Sequence, residues 1–283
     1  MKAKFLSIDV EKLQDFISLI LAPIRELFIM HYKIFRKPFS SGYNFHKWRV
    51  IENTLKKKKI NHFLNTRGLD ERVVEYYWII NELKKCKGKL LDAGSTLNYP
   101  IILKKLTKSF NITIQTLYPE NNSSLKDGVS YIYSDLIEQS FQNNYFDVIT
   151  CISTLEHVGF DINIYKTLYK NKIIKRDKFA YLKVIKNFKL SLKKNGILFI
   201  TLPFGKHEKF QDLQQFDKAM INKIVRTFEP KKITKKFAIY RNYRWEFCKE
   251  NECLKMKFRN KYQKNSKDEA ASARSLILMK LVK

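Results

Sequence analysis

Residues 89–98, with the sequence KLLDAGSTLN, are the stretch that decides the fold. Leu90 and Leu91 are followed directly by Asp92 and then by Gly94, which predicts a buried strand that ends in a tight turn. Glycine permits positive φ angles and lets a ligand approach the backbone closely. In open α/β sheets such turns lie at the carboxyl edge of the sheet, where ligands bind. The stretch therefore predicts the first strand of a ligand-binding α/β domain.

Strands and helices alternate along the rest of the chain. The predicted strands cover residues 89–93, 112–117, 131–134, 146–152, 196–202, 233–240 and 275–282. Helices are predicted for residues 70–87, 100–110 and 215–228, with one or two more within residues 165–192. This alternation favours a doubly wound, mostly parallel sheet with helices on both faces. We expect one α/β domain over residues 70–283, in which residues 241–272 form an inserted polar loop or hairpin.

The first part of the chain, residues 1–69, is predicted to be a basic helical extension. Apolar residues follow helical spacing at Leu13, Phe16, Ile17, Ile20, Ile24, Leu27 and Phe28. Basic residues follow at Lys33, Arg36 and Lys37, so this helix could lie on a membrane surface. We expect it to pack on the main domain, and peripheral membrane contact stays open. The apolar run of residues 16–22 is shorter than the roughly 20 residues that span a bilayer, and no signal peptide is predicted.

The chain is strongly basic, with a net charge of +28 from 55 Lys and Arg residues against 27 Asp and Glu residues. Such a charge attracts nucleic acid or an anionic membrane surface. Part of the excess matches a composition rich in Lys, Asn and Ile but with 8 Gly and 6 Pro, as an AT-rich genome produces. A nucleic-acid partner is therefore open but not favoured.

The four cysteines are scattered, at Cys86, Cys151, Cys248 and Cys253, and no CxxC pair or histidine cluster accompanies them. This spacing predicts neither a zinc site nor a disulfide framework. We expect reduced thiols, a cytoplasmic location and no bound metal.

Polar or small residues follow four of the predicted strands. They occupy residues 92–95, 119–120, 134–136 and 153–157. Because the carboxyl ends of parallel strands meet at one edge of a sheet, these residues could line a single crevice suited to a nucleoside-like ligand.

These segments resemble the motifs of class I S-adenosylmethionine-dependent methyltransferases. The resemblance rests on Asp92-x-Gly94, on Ser134-Asp135, on FDVITCISTLEHV at residues 146–158 and on LKKNGILFITLP at residues 192–203. It implies a Rossmann-like, seven-stranded sheet whose last strand, residues 275–282, is antiparallel. DERVVEYYW before the first strand and QQFD at residues 214–217 are similar to a subgroup of bacterial methyltransferase-like proteins associated with glycan modification.

The resemblance implies S-adenosylmethionine as the cofactor. It places Asp92, Gly94 and Ser95 beside the methionine part, and Ser153 and Leu155 along the cofactor. Around the adenosine, Glu120 is the nearest candidate to hold the ribose hydroxyls, Asp135 would bond the adenine amino group, and Leu136 would lie against the ring.

On the acceptor side, the resemblance implies that Glu156 and His157 face the substrate. Histidine changes its protonation state near neutral pH, so His157 could abstract a proton from a hydroxyl acceptor. His207, in the loop after the fifth strand, would lie near the same side. These three are the candidate catalytic residues.

Two departures from the family pattern concern cofactor binding. Thr96 and Asn98 stand where the family turn has glycines, and Glu120 comes two or three residues later than the expected acid.

Three hypotheses follow: O-methylation of a glycan, glycolipid or other small to medium acceptor; methylation of RNA; and a non-catalytic protein that retains the fold. The N/D-P-P-Y/F motif of many nucleic-acid methyltransferases is missing after the fourth strand, where ISTLEH stands.

Overall fold

The computed structural model describes residues 20–35, 40–120, 124–160, 177–210, 212–258, 269–270 and 273–283. Three predicted regions lie partly outside these ranges: the start of the N-terminal helix, the first part of the helical segment 165–192, and the end of the insertion 241–272.

One large sheet forms the centre of the fold. Within the described residues its strands are β1 (Gly88–Ala93), β2 (Phe110–Thr116), β3 (Ser130–Tyr133), β4 (Phe146–Ile152), β5 (Leu192–Pro203), β8 (Lys232–Arg241), β9 (Arg244–Cys248) and β10 (Ser275–Val282). The strand order is β3-β2-β1-β4-β5-β10-β8-β9. Two short strands, β6 (Glu208–Lys209) and β7 (Gln214–Gln215), form a separate antiparallel pair.

The directions of the strands confirm the predicted fold class. The strands β1 to β5 pair in parallel, and β10 runs antiparallel between β5 and β8. The sequence predicts seven strands, and among the described residues the large sheet has an eighth, β9, within the segment predicted as a loop or hairpin. It pairs antiparallel with β8, so β8 and β9 form a hairpin at the edge of the sheet.

Several bounds differ from the predicted ones, and two of the differences have a local reason in the structure. Strand β5 begins at Leu192 instead of residue 196, because a register shift opposite Phe146 and Val148 lets the strand continue through Asn195, whose φ is 64°. The helix predicted from residue 70 begins at Arg72, since the Asp70 carboxylate accepts a hydrogen bond from the Arg72 amide and so ends the preceding loop.

Helices cover both faces of the sheet. They are α1 (Ala22–Phe35), α2 (Ser41–Leu55), α3 (Arg72–Leu83), α4 (Pro100–Leu106), α5 (Ala180–Ser191), α6 (Lys218–Phe228) and the single turn α7 (Glu250–Cys253). On one face, Trp78 of α3 packs edge-to-face on Phe199 of β5, with ring centroids 5.6 Å apart. On the other face, α5 and α6 bury Tyr181 and Phe228 against the sheet. Each face therefore has its own hydrophobic core.

The order of the strands creates a crevice at the carboxyl edge. From β1 the chain continues outward to β2 and β3, then crosses back to β4 on the other side of β1. Ligands of doubly wound sheets bind at this switch point, because the connections diverge there and leave the strand ends open.

The helical extension packs on the domain through α2 and α3. Tyr32 of α1 meets Tyr43 of α2 edge-to-face at 5.5 Å, and both side chains are buried. A Cβ atom on Gly42 would collide with the carbonyl oxygen of Phe28, so glycine allows α1 and α2 to approach closely. No helix in the described ranges is long and apolar enough to cross a membrane.

Candidate functional site at the carboxyl edge of the sheet

Asp92 is buried at the end of β1 and holds the following turn. One carboxylate oxygen accepts a hydrogen bond from the Leu97 amide at 2.7 Å, and the other accepts one from the Thr150 hydroxyl of β4 at 2.9 Å. Burial raises the pKa of Asp92 to about 7, although both hydrogen bonds oppose this shift. Asp92 thus fixes the turn at the switch point through its side chain.

The turn itself needs unusual backbone angles. Gly94 has a φ of 103°, and a Cβ atom there would overlap the Thr154 side chain. Ser95 also adopts a left-handed φ of 59°. Thr96, one of the two residues that depart from the glycine pattern of the resembled family, is buried and donates its hydroxyl to the Ile152 carbonyl at 2.9 Å. The substitution therefore ties the turn to the end of β4.

Glu120 lies opposite this turn, after β2. Its carboxylate accepts hydrogen bonds from the hydroxyl of Ser95 at 2.7 Å, the amide of Asn98 at 3.0 Å and the hydroxyl of Thr116 at 3.3 Å. The residue is exposed, so its carboxylate lies at the mouth of the crevice. The structure thus brings together Ser95 and Glu120, two of the residues predicted to contact a cofactor.

Polar groups also meet at the ends of β2 and β3. The side-chain amide of Gln115 donates to the Ser134 carbonyl. The carbonyl oxygen of the Gln115 side chain and the Ser134 hydroxyl are buried and have no hydrogen-bond partner among the described residues. Asp135, next in the chain, accepts a hydrogen bond from the Ile137 amide at 2.8 Å, and Leu136 is buried in the core. Asp135 and Leu136 therefore have local structural roles beside any contact with a ligand.

Ser153, after β4, belongs to a buried network. It has a left-handed φ of 41°, and its hydroxyl donates to the Glu75 carboxylate at 2.5 Å. Thr201 of β5 donates to the same oxygen at 2.5 Å. The other Glu75 oxygen pairs with Arg72 at 2.5 Å, an ion pair at i, i+3 spacing along α3. The first turn of α3 is thereby fastened over the ends of β4 and β5.

Glu156 is buried beside this network. Only 3% of its surface is exposed, and Oε2 has no hydrogen-bond partner in the described part of the chain. Burial, with the charges of Glu75 and Glu71 adding to it, raises the pKa of Glu156 well above its usual range. Burial and the charges of Asp70 and Glu75 raise the pKa of Glu71 to about 8. The neighbouring Leu155 is buried in the core.

The two candidate histidines both contact backbone carbonyls of the segment that carries β6 and β7. His157 is half-buried, and its Nδ1 is 2.7 Å from the Asp212 carbonyl oxygen. When the ring is neutral, this contact favours the tautomer with the proton on Nδ1 and the lone pair on Nε2. The exposed His207 makes a similar contact from Nδ1 to the Gln215 carbonyl at 2.9 Å.

Several residues of the site were not among the predicted ones. Gln115, Glu71 and Thr201 carry polar groups into the edge, and Glu75 organises its centre. Gln115 and Thr201 are polar residues near the carboxyl ends of strands, and such residues reach this edge of the sheet. Extending the search to the last residues of each strand would therefore have identified them. Glu71 lies just before α3 and Glu75 in its first turn, and only the packing of α3 on the sheet brings them there. Among the described residues, no group of three or more His, Cys, Asp or Glu side chains is placed to hold a metal ion.

In comparisons with known proteins, the chain is similar to several solved structures. No family model matches the chain, and no curated protein matches it. The 1,6-didemethyltoxoflavin-N1-methyltransferase from Burkholderia thailandensis, solved with 1,6-didemethyltoxoflavin and S-adenosylhomocysteine, has 12% identity over 100% of this chain and 93% of its own, with a TM-score of 0.47. The N-methyltransferase NodS from Bradyrhizobium japonicum WM9, also with S-adenosylhomocysteine, has 12% identity over 84% of this chain and 98% of its own, with a TM-score of 0.43.

A third similar structure is the [4+2]-cyclase SpnF, with 14% identity over 69% of this chain and 73% of its own and a TM-score of 0.43. At these identities and TM-scores, the similarities support no conclusion about what this chain binds or catalyses. One fold commonly hosts unrelated functions, so the function must be argued from the site.

Proposed function

We propose that this protein transfers a methyl group from S-adenosylmethionine to a small or medium-sized acceptor. The observation that carries the proposal is the position of Glu120, which meets the turn after β1 at the switch point of the sheet. A carboxylate has about four acceptor sites on its two oxygens, and three are in use, so Glu120 has about one left, on Oε1, to accept a ribose hydroxyl beside its present donors.

The buried polar atoms at this edge fit an adenosyl group. The side-chain oxygen of Gln115 can accept a hydrogen bond from an adenine amino group, and the Ser134 hydroxyl can donate or accept one. Asp135 offers a further acceptor beside them. Leaving such buried atoms unpaired costs roughly 1–3 kcal/mol each, so a ligand that pairs them gains affinity.

Each residue then has a limited task in catalysis. S-adenosylmethionine, when bound, supplies an electrophilic methyl group, so the protein must chiefly orient the acceptor. Asp92, Gly94 and Ser95 shape the turn beside the methionine part, and Ser153 borders the same space. Leu155 is fully buried in the core, so it would support this wall without touching the cofactor. His157, held by the Asp212 carbonyl, would take the proton from the acceptor. Glu156 and His207 would line the acceptor side.

For the acceptor, we infer a hydroxyl group on a glycan or glycolipid precursor, modified in the cytoplasm. This finer assignment is supported by the sequence resemblance to glycan-associated methyltransferase-like proteins and by a histidine suited to deprotonate a hydroxyl. Turnover of isolated sugar acceptors, measured by release of S-adenosylhomocysteine, tests it. Methylation of amines alone would contradict it.

Titration calorimetry with S-adenosylhomocysteine tests the cofactor site. Glu120→Gln is the main variant, because Glu120 is exposed and its replacement should leave the fold intact. We expect affinity to fall roughly tenfold to a hundredfold, the loss of one or two charge-assisted hydrogen bonds. Glu52→Gln, an exposed acid on α2, is the matched control and should bind like the natural protein. Equal affinity in both variants would overturn the proposed site.

A second candidate is a non-catalytic protein that retains the fold. It is favoured by Thr96 and Asn98, which fill the turn with side chains where the family has glycines. If the folded protein binds neither S-adenosylmethionine nor S-adenosylhomocysteine, this candidate replaces the first.

Methylation of RNA is supported by the net charge of +28 alone, and RNA binding that is absent or independent of salt would remove it.

A further inference from the structure

The outer side of α1 exposes a set of large apolar side chains, of which Phe28 also contacts the Phe45 ring of α2 with centroids 6.1 Å apart. Six residues of this helix are 45–64% exposed: Ile24, Leu27, Phe28, Met30, Ile34 and Phe35. At 3.6 residues per turn, Ile24, Leu27 and Ile34 fall within about 80° of one another around the helix axis. We refer to these six residues as the outer face of α1. Clustered apolar exposure of this kind marks a surface that binds a partner or a membrane.

The orientation of α1 is fixed by its opposite side. Ile29 and Tyr32 are buried there, and the tight contact at Gly42 holds the helix against α2. Glu26 also forms an ion pair with Arg49 of α2. Because these contacts use the inner side, the apolar residues of the outer face cannot turn inward without breaking them.

The charge of the helical extension selects the kind of partner. In sequence, residues 20–59 contain ten Lys and Arg residues against two acids, Glu26 and Glu52. Two of the basic residues are ion-paired, Lys47 with Asp70 and Arg49 with Glu26. The run Lys56–Lys59 is exposed at the end of α2. Two copies of this chain joined through α1 would bring equal positive charges together, whereas an anionic lipid surface would attract them.

We propose that the outer face of α1 binds the surface of an anionic lipid bilayer. The apolar side chains would enter the boundary between headgroups and acyl chains, and the basic residues would remain at headgroup level. The 14 residues of α1 are too few to span the bilayer, so the contact would be peripheral. This surface is independent of methyl transfer and would bring the carboxyl edge of the sheet near membrane-borne acceptors.

Co-sedimentation of the full chain with vesicles tests the proposal. We would compare vesicles of phosphatidylcholine alone with vesicles that contain about one third phosphatidylglycerol. Binding should require the anionic lipid and should weaken as salt is added, because salt screens the attraction between charges. Failure of the natural protein to bind either vesicle would overturn the proposal.

A matched pair of variants separates apolar insertion from charge alone. Leu27→Glu changes the outer face of α1, and Leu190→Glu makes the same change on α5, where the leucine is similarly exposed, at 55% against 60%. We expect Leu27→Glu to lower vesicle binding roughly tenfold or more and Leu190→Glu to change it less than about twofold. Equal effects would show that the outer face does not insert. A dimer that Leu27→Glu dissociates, without vesicle binding, would assign the face to a second copy of the chain.

Discussion

At the scale of single residues, Asp92 is the side chain on which the turn after β1 most depends. In Asp92→Asn, one of the two donors, the Leu97 amide or the Thr150 hydroxyl, would face the NH₂ group of asparagine instead of an oxygen. We predict that the free energy of unfolding falls by about 1–3 kcal/mol, the usual cost of a buried group left unpaired. Urea denaturation measures it, with Asp127→Asn, an exposed acid, as the control. An unchanged midpoint for Asp92→Asn would contradict these contacts.

Glu156 links the buried acids to the pH dependence of stability. Its pKa is raised in the folded state, so the folded protein holds this proton to higher pH than the unfolded chain does. The stability it confers is complete below the unfolded pKa and is lost as pH rises through the folded one. The pKa of Asp92 is raised to about 7 and that of Glu71 to about 8, so both residues also make the protein less stable as the pH rises. We predict that stability falls between about pH 5 and pH 8.

Glu156→Gln isolates the contribution of this side chain to the pH dependence of stability, because glutamine is similar in shape and stays neutral. The slope of unfolding free energy against pH should become flatter in this variant, while Asp92 and Glu71 keep part of it. Glu229→Gln is the control: its exposed carboxylate pairs with Lys189, which lowers its pKa and places its titration below this range. Denaturation at several pH values provides the measurement, and a slope as steep as that of the natural protein would show that Glu156 is ionised in the folded state.

Sequence reasoning at this scale succeeds where a residue follows a strand directly. Asp92, Ser95 and Glu120 meet because the ends of parallel strands share one edge. It fails where a contact depends on the packing of a distant helix: nothing in the local sequence shows that Glu75 accepts hydrogen bonds from both Ser153 and Thr201. Their positions along the chain are far apart, and only the docking of α3 on the sheet unites them.

At the scale of elements, Gly42 controls how α1 joins the domain. In Gly42→Ala the added Cβ would collide with the Phe28 carbonyl, so α1 must move away and Tyr32 must lose contact with Tyr43. We predict a loss of stability of about 1–3 kcal/mol, typical of overpacking in a well-packed contact. Faster proteolysis within residues 20–35 should accompany it. Ser41→Ala, at the adjacent exposed position, should show neither effect.

The elements differ in how well the sequence predicts them. Strands β4 and β10 are predicted with their observed bounds, because buried, apolar runs with flanking polar residues define both ends. The sequence analysis does not identify strand β9, because β9 is a short edge strand of five residues. Only a tight turn separates it from its partner β8. The polar residues around β9 resemble a loop in sequence, and tertiary contacts, such as that of the Trp245 indole with the Leu69 carbonyl at 3.0 Å, stabilise the strand.

At the scale of the whole molecule, the sheet separates two surfaces with different tasks. The carboxyl edge holds the polar groups that we assign to cofactor and acceptor, while the outer face of α1 lies on the helical extension. Helix α3 lies between the two surfaces. Its first turn is hydrogen-bonded to residues at the ends of β4 and β5, and α2 packs against it. The two surfaces share no residue, so a change on the outer face of α1 should leave cofactor binding intact, and a change at Glu120 should leave vesicle binding intact.

This separation leads to a prediction about thermal unfolding. A ligand that binds only the folded state stabilises it by about 2.7 kcal/mol at a concentration one hundred times its Kd. For a chain of 283 residues this should raise Tm by about 5 °C. We predict this shift with S-adenosylhomocysteine for the natural protein and for Leu27→Glu, measured by calorimetry. Glu120→Gln should give a much smaller shift at the same ligand concentration, because its Kd is higher. A shift lost in Leu27→Glu but kept in Glu120→Gln would show that the two surfaces are coupled and that Glu120 does not hold the cofactor.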